Sequence, residues 1–221
     1  MTASLRMLAY RVAADFIDEY LRIRDSTAMK SLYYFVKAVV EIYFDQYLRS
    51  PNNNDIAKLL AVGKSCGFPG MLGSIDSIAS YDLWIWHAFF GLHGSHNDIN
   101  VLEKSTVFTE LAQGRAPPIN YTISGNEYTM GYYLADGIYP PWATFVKTIP
   151  CPQGNKKKHF TMAQEACKKD VERAFGVLQA RFAIVRGSAR SWNLESIKVV
   201  MKACIILHNM IIEDERDDNE A

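Results

Sequence analysis

The chain has 221 residues, 49% of them hydrophobic and 22% charged, with 24 basic and 24 acidic side chains. This is globular composition; it excludes a disordered or low-complexity chain, and the neutral balance does not by itself announce a nucleic-acid binder. No apolar run approaches the ~18 residues of a membrane span, the start lacks a signal peptide's apolar stretch, and four scattered cysteines form no CxxC pair. The expectation is a reduced, intracellular protein with no membrane partner.

Residues 1–62 read as helical. Leu5, Leu8, Val12 and Phe16 recur near helical spacing, as do Leu32, Phe35, Val39, Tyr43 and Tyr47. Asp25-Ser26-Thr27 separates the two stripes with N-cap residues, and Ser50 to Asp55 ends the second and caps a short third helix over Ile56–Val62. Three short helices bury one small core and are also the minimum for a helix-turn-helix module. Eight basic against seven acidic residues lend that second reading little support.

A glycine-rich connection, Gly63 to Gly73, precedes a change of period. Met71–Asp76 reads as a short strand, and Leu83–Phe90 as a covered one. Asn100–Gln113 reads as a helix, Asn120–Met130 as a hairpin turning at Ser124-Gly125-Asn126, and Tyr132–Ala135 as a buried strand. Thr161–Arg181 is predicted helical, with Thr161 and Gln164 as a capping box, and so is Leu194–Ile212. The fold class is α/β, with a mixed sheet flanked by helices. The expected organisation is a helical region over 1–62, a main domain over 63–216 and an acidic tail over 217–221.

Asp76, Asp98 and Asp136 stand where strands end. One such Asp is an ordinary turn former. Several converging at strand ends suit a hard divalent cation with oxygen ligands, and two ions can clamp a phosphodiester. Glu172 follows Val171 of the apolar stripe of the Thr161–Arg181 helix, with Lys168, Lys169 and Arg173 around it. Nine basic residues lie between Lys156 and Arg190 against three acids, either a polyanion-facing surface or a solvated helix face. His87 and His208 read as core residues, while His93 and His96, flanking Asp98, read as phosphate or metal helpers or as solvated loop.

The blocks GFPGMLGSID, SYDLWIWHAFFG with GSHNDINVL, NEYTMGYYLADGIYPPWATFVKTI, KKDVERAFGVLQARFAIVRG and MKACIILHNMIIEDE together resemble PIF/Harbinger-superfamily transposases. More narrowly they resemble the plant transposase-derived nuclease-like proteins, over about Leu21 to Arg216. The resemblance implies a ribonuclease-H-like core behind a helical, helix-turn-helix-like DNA-binding region. It implies Asp, Asp and Glu ligands for Mg2+ or Mn2+, cleavage and transfer of DNA strands, and a nuclear location. Position by position it assigns Asp76, Asp136 and Glu172 as catalytic, with Asp98 joining them as metal ligand. DNA is the implied partner, with room for a separate DNA-binding partner protein. Lys156, Lys157, Lys158, Lys168, Lys169 and Arg173 would meet DNA phosphates.

One departure matters. The family separates its first Asp from the SYDLW block by several dozen residues, whereas here Ser77-Ile78-Ala79 joins the two almost directly. The chain reads as carrying an internal deletion, with a sheet one strand short beside Met71–Ala79. Two function classes follow: a metal-dependent DNA nuclease, and a catalytically inactive relic or domesticated protein that binds DNA or a protein partner.

Overall fold

A computed structural model describes residues 2–11, 24–74, 77–79, 83–88, 118–137, 139, 141–186 and 193–220. It is a mixed α/β protein whose chain divides into two compact units, residues 1–49 with 173–221, and residues 50–172.

The first unit is helical. Helix α1 spans Thr2–Tyr10 and α2 spans Asp25–Tyr47. Asp25, Ser26 and Thr27 lie inside the first turn of α2 rather than capping it; Arg24 is the N-cap and makes no side-chain cap bond. Asp25 instead sets a carboxylate at the positive end of the helix dipole. The buried face of α2 is Ala28, Leu32, Val36, Val39 and Tyr47, the repeat of a packed helix. It lies against the C-terminal helix, Leu194–Glu220, which is α5 in chain order. That helix buries Ala203, Cys204, Ile205, Ile206, His208 and Asn209 completely and runs on through the acidic stretch. His208 is core, as its spacing predicts. Val12 and Phe16 lie outside the described residues.

Polar bonds lock α2 to α5. The Tyr47 hydroxyl donates to Glu213 Oε2 at 2.6 Å, and Asn209 Nδ2 donates to the Tyr47 carbonyl at 2.7 Å. Arg181 donates to Glu215 at 2.5 Å and approaches His208 Nδ1 at 3.3 Å.

The second unit holds the strands. Helix α3 (Asn53–Ser65) runs beyond its apolar stripe at both ends, and it starts early because Asn52 and Asp55 form a full capping box. Asn52 Oδ1 accepts from the Asn54 and Asp55 amides, while Asp55 Oδ2 accepts from the Asn52 amide. Ile56 and Leu60 of α3 pack on the sheet core, so the third helix serves the sheet rather than a three-helix core. At Gly63 a Cβ would stand 2.9 Å from the Met71 carbonyl, and the missing side chain lets α3 approach the first strand.

Strand β1 is Met71–Ser74, β6 is Tyr132–Ala135 and β7 is Phe145–Lys147; all three run parallel in the order β1-β6-β7. Ser74 pairs with Leu134, and Leu134 with Val146. Strands β2 (Ser77–Ala79) and β3 (Ile85–Ala88) pair antiparallel. Trp84 and Ile85 are buried, in keeping with a covered strand. Strands β4 (Pro118–Ile123) and β5 (Asn126–Met130) form the predicted hairpin. Its two-residue turn takes φ of 51° at Ser124 and 84° at Gly125, the left-handed pair that matches strand twist. The expected helix over Asn100–Gln113 lies outside the described residues.

Helix α4, Asn155–Arg181, closes the second unit and continues into the first. It begins six residues before Thr161. Thr161 therefore caps nothing; its hydroxyl donates back to the Lys157 carbonyl. Gln164 is fully buried and donates to the Val146 carbonyl at 3.1 Å.

Candidate metal and nucleic-acid site

Asp136 follows directly on β6, whose Tyr133, Leu134 and Ala135 are buried. The backbone around it is held by three hydrogen bonds from two residues. The Tyr139 amide donates to the Asp136 carbonyl at 3.3 Å, while the Thr148 amide and hydroxyl donate to the Ala135 carbonyl at 3.0 and 3.2 Å. Tyr139 is 2% exposed and packs edge-on to Phe145, against which Trp142 stacks at 5.1 Å. The loop after the third predicted acid is thus shaped by Tyr139 and Trp142, and a rigid strand end presents the carboxylate.

Helix α4 supplies the other wall. Gln164, Lys168 and Glu172 are spaced four apart and form one row that turns slowly around the helix. Gln164 fastens the row to β7. One turn on, the Lys168 ammonium forms an ion pair and hydrogen bond with Asp136 Oδ1. The Lys168 side chain is 18% exposed and that of Asp136 49%. Glu172, the next member of the row, is exposed.

The expected ligand set is therefore half described. Asp136 meets Lys168, and Glu172 stands one turn beyond Lys168 on the same helix row. Asp76 and Asp98 lie outside the described residues, as do His93 and His96. Among the described residues no three His, Cys, Asp or Glu side chains come together as a metal cluster. The donor chemistry of Asp136 fits a hard divalent ion: an oxygen donor, half open to water and already bound to a cation.

The lysine block is placed differently from its sequence reading. Lys156, Lys157 and Lys158 make the first turn of α4 instead of preceding the helix, and all three are exposed. No acid shares that turn. Three ammonium groups at the positive end of a helix dipole oppose helix formation, and the same arrangement attracts an anion. Lys169 and Arg173 are exposed further along.

Two roles escaped the sequence reading. Gln164 serves the sheet and not a cap, and Lys168, expected to meet DNA phosphates, pairs with the Asp136 carboxylate. The i, i+4, i+8 spacing of Gln164, Lys168 and Glu172 was the available signal.

Taken together, the described geometry is that of a mixed α/β protein with an acidic strand end set against a cationic helix. No curated protein and no solved structure matches the chain. The plant transposon protein family does, over residues 45–78 and 75–219. The chain belongs to that family. No helix among the described residues is long and apolar enough to cross a membrane.

Proposed function

We propose that this is a transposase-derived protein of the PIF/Harbinger kind that acts on DNA by divalent-metal-dependent cleavage or transfer at a phosphodiester. Residues 63–216 then form a ribonuclease-H-like core, and the protein's place of action is the nucleus. One observation carries this reading. Strands β1 and β6 are parallel neighbours with Ser74 opposite Leu134; two residues further along each segment of sequence come Asp76 and Asp136. In sequence the two acids follow the paired residues of adjacent parallel strands by the same offset, the spacing from which a carboxylate metal site at strand ends would be built.

Asp76, Asp98, Asp136 and Glu172 would hold Mg2+ or Mn2+. A bound ion of this kind supplies Lewis-acid activation of phosphate oxygens and of water. The chain's own residues do the rest. The Tyr139 and Thr148 bonds hold the Asp136 backbone still, Gln164 fixes the height of α4 on the sheet, and the first-turn lysines draw a phosphate backbone toward the same helix. Those lysines meet phosphate rather than base edges, so they carry affinity and not sequence choice. A separate DNA-binding protein would supply target selection.

Plasmid nicking in Mg2+ or Mn2+ tests this. Asp136→Ala and Glu172→Ala are each expected to lose more than ~100-fold in rate, since even groups that only support a metal ligand are worth ~10–100-fold. Equal nicking by wild type and both variants would expose a contaminant and defeat the reading.

A second reading has its own observation. The family match comes in two stretches that meet at residues 75–78, where the segment bearing Asp76 runs straight into β2. A shortened core there favours a relic that keeps its binding surfaces and has lost cleavage. Salt-dependent duplex binding without nicking is the result that selects it.

A further inference from the structure

We propose that Lys168 is a built-in counter-ion for Asp136: its ammonium holds the carboxylate until a divalent cation displaces it, so that metal uptake and release of the lysine are one event. This rests on the reading of Asp136 as a metal ligand. The pair is not a casual surface contact. Long exposed lysines lose rotamer freedom when they pair, and such pairs contribute little. Here the side chain is 18% exposed and rises from a helix that the buried Gln164 fastens to the Val146 carbonyl one turn earlier. The ammonium is therefore delivered to Asp136 Oδ1 by a rigid element.

The carboxylate is 49% exposed, so a hydrated ion has a path to it. A divalent cation that takes Oδ1, alone or together with Oδ2, meets the ammonium at contact distance, and the two repel strongly wherever water is partly excluded, so an ion bound there drives the lysine off. Glu172, one turn beyond Lys168 and exposed, gives the same row a carboxylate to offer once the ammonium has moved. Lys169, exposed and adjacent in sequence, carries the same charge without being the partner of Asp136. It is the internal control for charge alone.

The test is Mn2+ binding by titration calorimetry on the full chain, with the melting temperature of each variant recorded without metal. Lys168→Met is expected to bind Mn2+ about fivefold more tightly than wild type, the factor set by a pair worth ~1 kcal/mol. Lys168→Gln should do the same and replaces the Met variant if that one fails to fold. Lys168→Arg should restore wild-type affinity, Lys169→Met should change it less than about twofold, and Asp136→Asn should abolish the site. Binding that appears only when Lys168 is removed supports the proposal equally. Unchanged or weaker binding in Lys168→Met and Lys168→Gln overturns it while leaving Asp136 as a ligand, and so does an equal gain in Lys169→Met. If Asp136→Asn binds Mn2+ like wild type, or neither wild type nor the Lys168 variants bind it, Asp136 is no ligand, and both this proposal and the metal reading beneath it fall.

Discussion

The polar side chains at two points of the molecule, one in each unit, hold their partners in opposite ways. In the helical unit they are buried and tied to fixed partners: Asn209 is fully buried on the Tyr47 carbonyl, and the Tyr47 hydroxyl reaches Glu213. These bonds join residues more than 160 positions apart and decide how α2 meets α5. In the sheet unit the telling polar group is Asp136, half exposed, with Lys168 as its charged partner among the described residues, delivered by a helix. A buried group that loses its partner finds no water and keeps the whole desolvation penalty. A half-exposed one can exchange an ammonium for water or for another cation at small cost. Replaceable partners suit places where ligands come and go, which is why the proposed chemistry is sought at Asp136.

The largest expected effect breaks both units alike. Leu32→Ala in α2 and Leu134→Ala in β6 each empty a fully buried site, and each should lose about 2–5 kcal/mol in denaturant unfolding. If the units melt separately, each change should move only its own transition.

Asn209→Ala should then cost about 1–3 kcal/mol, because it strands a buried carbonyl. Asp136→Ala, by contrast, should barely move the melting curve. That pair of measurements is the sharpest check on the contrast between fixed and replaceable partners.

Alkaline pH should act on both units through burial. Burial pushes the Cys204 thiol up to about 12, from 9.0, and the Tyr133 hydroxyl up to about 12, from 10.0. Each group stays protonated in the folded chain after it would ionise in the unfolded one. Stability is therefore full below pH 9, falls as pH rises past the unfolded values, and keeps falling toward the folded ones. At pH 10 Cys204 alone should cost on the order of 1 kcal/mol. Cys204→Ala should lower overall stability through its cavity yet flatten this alkaline limb, read from thermal melts at successive pH values.

The smallest effect on stability carries the most about binding. Replacing Lys156, Lys157 and Lys158 together by Ala should leave the fold intact, and relieving cations at a helix N-terminus favours the helix slightly. Duplex affinity should fall, and the log–log salt dependence should flatten by about two to three units. An unchanged slope would return these lysines to a solvated helix turn.

Local chemistry made several elements legible from the residues alone. The β4–β5 hairpin announces itself through Ser124-Gly125 between alternating runs, β6 through Tyr132 to Ala135 with Asp136-Gly137 behind it, and the core of α5 through an almost uncharged helical stripe. The family was legible too, in ordered blocks that composition could never supply. Helix limits were not. Asn52 and Asp55 close a reciprocal cap that starts α3 earlier, and α4 begins at Asn155, six residues before Thr161. Only the tertiary structure decided that α3 packs on strands while α2 packs on α5, that β1 and β6 are parallel neighbours, and that Lys168 meets Asp136 across 32 positions of sequence. Propensity and capping act within a turn or two and can be read along the chain. Strand neighbours and ion-pair partners are chosen by which buried faces fit together, and a one-dimensional pattern carries that choice only when the whole chain is folded.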